Sequence, residues 1–461
     1  MAILNNRLTI EQYEQNFSDI HPPFENKEAA LVEANRCLFC YDAPCTKSCP
    51  TGINIPKFIK QITTDNIKGS AHTIFVSNIF GGGCSKVCPV EKLCEGACVY
   101  NLLHEEAIPI AKLQRYSTEK AIEEKWKLFD RKPPTGKKVA IVGAGPAGLS
   151  CAHVLSREGV DVTVYEKEPK GGGLMTYGIA AYKVTPEFCQ DEVDFITSLG
   201  GIEIKYNYEL GKNLPALPTG QAGGRQGILL NELQQQYDAV YLGIGVGLAN
   251  KLGIPGEDLE GVEDAITFIY NLRSKTYPEI SVGDRVAVIG MGMTAIDAAT
   301  QAKRLGAKEV TMVYRRSEAE KNCTQFELDL AKLDGCKMQW LAAPKEIVGE
   351  NGKVKALVCD IMKLGALDHS GKPAPELTGK TITLEVDMII KATGQRPFAD
   401  LVNENGIENS KGKVVLKENS STNIVGVFAG GDCVNGGKEV VDAVQAGKDG
   451  AAAILSYLGM A

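Results

Sequence analysis

Histidine is scarce: five in 461 residues, scattered with no spacing that would let imidazoles hold a metal, so none is assigned a role. Positive charge is also in deficit, with 50 Lys and Arg against 57 Asp and Glu and a net charge of −7. A nucleic acid or an anionic membrane would want a basic face, so neither is expected as the main partner. No run of about 18 apolar residues occurs, and the polar start MAILNNRLTIEQYEQNF reads as neither signal peptide nor membrane span. The expected location is cytoplasmic. What remains is an ordinary globular composition, 44% hydrophobic and 23% charged, long enough for roughly three domains of about 150 residues. Fourteen cysteines in such a chain point to metal or redox chemistry rather than to disulfides.

The clearest motif begins at Lys138. A short buried-strand run, Val139 to Val142, feeds Gly143, Ala144, Gly145, Pro146, Ala147 and Gly148, and an apolar-periodic helix follows. A second strand then runs from Val160 to Tyr165 and ends at Glu166, 23 residues beyond Gly143. The glycines serve a tight turn, close approach of backbone to a pyrophosphate, and close helix–strand packing. The helix start supplies free N–H groups for phosphates, and Glu166 stands where a carboxylate accepts from ribose hydroxyls.

A second fingerprint appears in RVAVIGMGMTAIDAA, with Gly290, Gly292 and Ala295 after the strand Val286 to Ile289. Counting 23 residues from Gly290 reaches Val313, followed by Tyr314, Arg315 and Arg316, so no carboxylate matches Glu166. Arginine there accommodates a 2′-phosphate, which favours NADP(H), although Glu318 and Glu320 lie close enough in sequence to neutralise the pair. Flavin-type sequence returns at ATGQRP and FAGGDCVNGG, where Asp432 follows a strand and precedes a helix. In two-dinucleotide flavoproteins an acid in this place holds the ribityl chain of FAD. The expected fold is α/β: a helical segment over residues 1–130, then a flavin domain of 131–280 and 395–461 with a nicotinamide domain, 281–394, inserted. The linker Asp130 to Lys138 marks the first boundary, and the Pro/Gly-rich stretch Leu214 to Leu230 reads as a surface insertion of disordered character.

Eight cysteines fall in the helical segment, spaced Cys37-x2-Cys40-x4-Cys45-x3-Cys49-Pro and Cys84-x3-Cys88-x5-Cys94-x3-Cys98. Three close cysteines plus a fourth before Pro is how paired iron–sulfur clusters are held. Structural zinc prefers C-x2-C pairs with a long spacer and is the weaker reading. The other six, Cys151, Cys189, Cys323, Cys336, Cys359 and Cys433, sit singly in apolar or mixed stretches and are expected as buried reduced thiols.

The runs RCLFCYDAPCTKSCPTGINIPKFI, GCSKVCPVEKLCEGAC and IAKLQRY, together with GAGPAGL, GGLMTYGIAAYKV and FAGGD, resemble the N-terminal half of dihydropyrimidine dehydrogenase and its separate bacterial small subunit. The glutamate synthase small subunit shares the domain plan, with a second cysteine group normally more compact. The resemblance implies one [4Fe–4S] cluster on Cys37, Cys40, Cys45 and Cys98. It implies another on Cys49, Cys88, Cys94 and the side-chain oxygen of Gln114, with Cys84 a spare thiol. It implies FAD contacts at Val87, Gly143 to Gly148, Glu166, Gly173, Leu174, Lys183, Gly431 and Asp432. NADP contacts are implied at Gly292, Thr294, Arg315, Arg316, Ala392 and Gly394. Met293 stands where the family commonly has Asn.

The activity so implied is electron transfer from NADPH, with NADH possible, through FAD and two clusters to a second polypeptide. That partner would be an FMN and iron–sulfur subunit that reduces uracil or thymine, making a hetero-oligomer. The sequence ends at Ala461, before any pyrimidine-reducing barrel, so this chain is expected to hold no pyrimidine site. No catalytic side chain is expected, because the chemistry belongs to the cofactors. The alternatives are a glutamate synthase small subunit and a free-standing NADPH:ferredoxin or sulfide-type reductase.

Overall fold

The computed structural model describes residues 3–211, 225–368 and 371–460. They form two compact units, each made of three chain segments.

The first unit is Met1–Ile20, Tyr177–Lys183 and Ala249–Gln395. Its centre is a parallel sheet in the order Lys337–Trp340, Glu309–Tyr314, Arg285–Ile289, Met388–Lys391 and Val262–Asp264. Val286 to Ile289 are all buried, as a strand covered on both faces requires. Three antiparallel strands, Ala342–Glu350, Lys353–Leu367 and Pro373–Glu385, extend from it.

The second unit is His21–Thr176, Val184–Leu248 and Arg396–Ala461. A parallel sheet runs Val427–Ala429, Ala239–Leu242, Lys138–Val142, Asp161–Glu166 and Ile202–Tyr206. The helix Pro146–Arg157 follows its central strand and packs on the C-terminal helix Val440–Tyr457, where Ser150 Oγ donates to the Val444 carbonyl at 2.9 Å. The cysteine segment is helical, and its helix starts are capped: the Asn26, Asn54 and Asn66 side chains accept from Ala29, Lys57 and Gly69 N–H. In Ile55–Thr63 the buried side chains are Ile55, Phe58, Ile59 and Ile62, the i, i+3, i+4, i+7 stripe of a helix laid on a core.

These units divide the chain differently from the sequence expectation. Residues 1–20 cluster with the nicotinamide fingerprint rather than with the cysteine helices, as do 249–280 and the short return Tyr177–Lys183. Long-range strand pairing decides this: Val262–Asp264 is an edge strand of the fingerprint's own sheet, and Leu4 bridges Val282. The insertion expected over 214–230 lies outside the described residues from 214 to 224, and beyond that it needs correction. Gln226–Ile228 is a strand paired with Tyr208–Leu210, and Arg225 bridges Glu168 and Glu209 at 3.0 and 2.9 Å. Its ordering comes from partners distant in sequence, which composition does not reveal.

Candidate functional site

The first fingerprint forms a glycine-lined cradle in the second unit. Gly143 has φ +102° and donates its N–H to the Tyr165 carbonyl at 2.8 Å, which turns the chain out of the central strand. Gly145 is the N-cap of Pro146–Arg157, with Pro146 as its first residue. Gly173, at φ +55°, lies against it: a Cβ on Gly173 would stand 2.8 Å from Gly145 Cα. A Cβ on Gly431, φ +75°, would stand 2.9 Å from Ala147 Cβ. Gly143 to Gly148, Gly173 and Gly431 are therefore brought together from three parts of the chain. A ligand that approaches backbone closely fits there, and side chains do not.

The buried Glu166 carboxylate accepts from Ala144 N–H at 2.7 Å and Glu168 N–H at 2.9 Å, which fixes it beside the turn. Burial raises its pKa, against those two N–H groups. Asp432 accepts from Lys438 N–H at 3.1 Å, and burial raises its pKa too. Leu174 opens the short helix Leu174–Tyr177 after the Gly173 turn. Val87 ends the helix Gly81–Val87. Lys183 falls in the first unit, where its buried ammonium pairs with Asp297 at 2.6 Å and Glu327 at 2.8 Å. Burial alone would lower its pKa, but the two carboxylates outweigh it and raise it.

The cysteines gather as two sets around two cavities. One is lined by Cys37, Cys40, Cys45 and Cys98; the other by Cys49, Cys84, Cys88, Cys94 and Gln114. Each set brings at least four side-chain donors to one small, largely apolar-lined space. Burial pushes the Cys45 thiol up to about 11 and raises Cys94 further; such thiols become thiolates only beside a cation. Gln114 is buried, and its Nε2 donates to the Gly81 carbonyl at 2.6 Å, which orients the amide. Cys84 lines the same cavity and hydrogen-bonds Cys88, the largest cause of a raised Cys88 pKa. The donor sets fit iron–sulfur clusters.

The helix carrying Cys84 and leading to Cys88 is positioned by a residue that no motif announced. Glu192 is 1% exposed and accepts from Gly83 N–H at 2.8 Å. Burial pushes its pKa to about 8. Its own helix, Pro186–Thr197, has Thr185 as N-cap and buries Cys189, Glu192, Val193 and Ile196, while Phe188, Phe195 and Leu199 are half-buried. The six single cysteines are all buried and in no disulfide.

In the first unit Gly290 has φ +137°, and a Cβ there would stand 2.5 Å from the Ala392 carbonyl, so the fingerprint turn and Ala392 are in contact. Gly292 is the N-cap of Met293–Arg304, with open space on its Cβ side and Thr294 in the first turn. Gly394, φ +86°, accepts from Asn250 N–H at 3.1 Å. Arg315 is exposed. Arg316 pairs with Asp368 at 2.6 Å. Glu318 pairs with Lys332 at 3.2 Å; the Glu320 carboxylate caps Ser317, and that bond, with a smaller part from the Arg316 charge, lowers its pKa.

Residues 137–447 match the family described as pyridine nucleotide-disulphide oxidoreductase. The chain belongs to that family. Residues 13–126 match the description "dihydropyrimidine dehydrogenase domain II, 4Fe-4S cluster". The NADPH glutamate synthase small chain of Escherichia coli is 34% identical, over 96% of this chain and 94% of its own. The NAD-dependent dihydropyrimidine dehydrogenase subunit PreT of Salmonella typhimurium is 33% identical, over 96% and 98%. The resemblance read from the cysteine runs therefore holds, and it extends to both relatives at nearly the same identity. FprA of Mycobacterium tuberculosis, solved with NADPH, shares the fold at TM-score 0.57, 22% identity, 71% of this chain and 85% of its own. The protein is an NAD(P)H-dependent flavin and iron–sulfur oxidoreductase. Among the described residues no helix is long and apolar enough to cross a membrane.

Proposed function

We propose that this chain is the electron-input subunit of a dihydropyrimidine dehydrogenase, taking electrons from NADPH and delivering them to a partner polypeptide that reduces uracil or thymine. The observation that carries the reading is the cavity that joins Cys49, Cys88 and Cys94 to an oriented Gln114 amide. A neutral amide in place of a thiolate leaves a cluster less negative and shifts its potential. When bound, FAD exchanges an electron pair for single electrons, and the clusters carry those singly.

The protein's part is to hold and orient. Gly143 to Gly148 and Gly173 would cradle the FAD pyrophosphate, Glu166 its ribose and Asp432 its ribityl chain. Gly290, Gly292, Thr294, Ala392 and Gly394 would hold the nicotinamide dinucleotide. Cys37, Cys40, Cys45 and Cys98 would hold one cluster; Leu38, Tyr41, Leu102 and Leu103, all exposed, lie within five residues of these cysteines in the chain. Apolar side chains left in water around one cysteine set support a protein partner there.

A second reading, the glutamate synthase small chain, is favoured by the 34% identity to that relative. Anaerobic mixing of the holoprotein and NADPH with each candidate partner separates them. Uracil-dependent oxidation of NADPH supports the first reading; glutamate formation from glutamine and 2-oxoglutarate replaces it with the second.

A further inference from the structure

The two arginines after the nicotinamide unit's second strand are not equivalent. Arg315 is exposed and has no partner among the described residues, whereas Arg316 is committed. Its Nη2 pairs with Asp368 at 2.6 Å and its Nε donates to the Pro373 carbonyl at 3.1 Å, with side chains only 12% and 20% exposed. Asp368 directly follows the strand Lys353–Leu367, and Pro373 opens the strand Pro373–Glu385. Lys372, just before Pro373, reaches the nucleotide loop: its Nζ donates to Asn322 Oδ1 at 2.8 Å, and Asn322 N–H donates to the Met291 carbonyl, between Gly290 and Gly292, at 3.1 Å. Asp368 itself accepts from Lys372 N–H at 3.2 Å.

We propose that Asp368 sets coenzyme specificity: by holding Arg316 on the hairpin it leaves Arg315 as the guanidinium open to a 2′-phosphate. The inference rests on the nicotinamide site proposed above and adds a residue that does not touch the coenzyme. A carboxylate on a guanidinium competes directly with a phosphate for the same forked donors. An arginine already paired therefore contributes little to NADPH over NADH, and a freed one adds a charge-assisted hydrogen bond. Asp368 acts through Arg316 and is a positioning residue.

The test uses the holoprotein titrated calorimetrically with 2′,5′-ADP and with 5′-AMP, fragments that differ by the 2′-phosphate, and stopped-flow flavin reduction by NADPH and NADH. Asp368→Asn keeps an acceptor for Lys372 N–H while removing the charge. It is expected to tighten 2′,5′-ADP about tenfold, the value of one charge-assisted bond, and to leave 5′-AMP within about twofold. Arg315→Ala in the unmodified background should weaken 2′,5′-ADP about tenfold, and Arg316→Ala by less than about threefold. The double variant Asp368→Asn with Arg316→Ala should lose the gain. Equal changes with both fragments would reduce Asp368 to a support of the hairpin and overturn the proposal, as would a gain that survives the double variant. If neither coenzyme bleaches the flavin of the unmodified protein, the nicotinamide reading falls and takes the inference with it. An unchanged 2′,5′-ADP affinity in Asp368→Asn, with flavin reduction intact, overturns the inference alone.

Discussion

Gln114 and Cys84 compete for one position. Both line the cavity with Cys49, Cys88 and Cys94, and spacing alone counts the cysteines as two sets of four. The hydrogen bond from Gln114 Nε2 to Gly81 favours the amide, since an oriented neutral oxygen needs no deprotonation. Gln114→Ala is therefore expected to lose or remodel one cluster, read as a fall in iron content toward half, while Cys84→Ser keeps both. The reverse pattern would restore the four-plus-four count. Residues that work by contact rather than by motif were not legible: Glu192, Asp297, Glu327 and Asp368 are acids in otherwise ordinary stretches. Only the fold shows Glu192 at Gly83, or Asp297 and Glu327 on Lys183.

At the scale of elements, the helix Gly81–Val87 shows what close approach demands. A Cβ on Gly82 would stand 2.8 Å from Phe188 Cζ and 2.9 Å from Glu192 Oε1. Gly82→Ala should destabilise the second unit by about 1–3 kcal/mol through overpacking, with a fall in bound iron; an unchanged melting temperature and iron content would show that the neighbours give way. The strand Val262–Asp264 carries a different strain. Glu263 is half-buried and accepts from Asn271 Nδ2 at 3.1 Å, and burial still pushes its carboxyl up to about 7 from 4.5. A folded pKa above the unfolded one means that the folded state binds the proton more tightly. The contribution is full below pH 4.5 and is lost as pH rises through about 7. Glu263→Gln should thus match the unmodified protein in stability near pH 4.5 and exceed it at pH 8 by on the order of 2 kcal/mol, read as a higher melting temperature. Equal melting temperatures at both values would place the group in water.

Legibility followed range in the chain. The parallel strands that carry the two fingerprints announce themselves through apolar runs a few residues long. The hairpin Lys353–Leu367 with Pro373–Glu385 did not, because much of it is half-buried or exposed and its alternation is blurred by register shifts. Yet that hairpin holds Arg316, so the nicotinamide site was half legible: its glycines by sequence, its charge balance only by structure.

For the whole molecule the open matter is where the electrons go. Each cofactor position proposed here has a donor set or cradle, and the proposed subunit role hands the electrons to a partner. The exposed apolar side chains Leu38, Tyr41, Leu102 and Leu103 are near neighbours in sequence of Cys37, Cys40 and Cys98, and support a second protein docking at that cysteine set. Holoprotein alone with NADPH should therefore reduce a one-electron dye such as methyl viologen or ferricyanide, while consuming no uracil and forming no glutamate. Replacing Tyr41, fully exposed, by Asp should leave ferricyanide reduction within about twofold, because a small dye needs no docking face, and weaken transfer to a protein partner by about tenfold, as truncating or charging an interface anchor does. Equal loss with dye and with partner would mean that the substitution damages the cluster rather than a contact. Uracil consumption by the isolated chain would overturn the subunit reading itself.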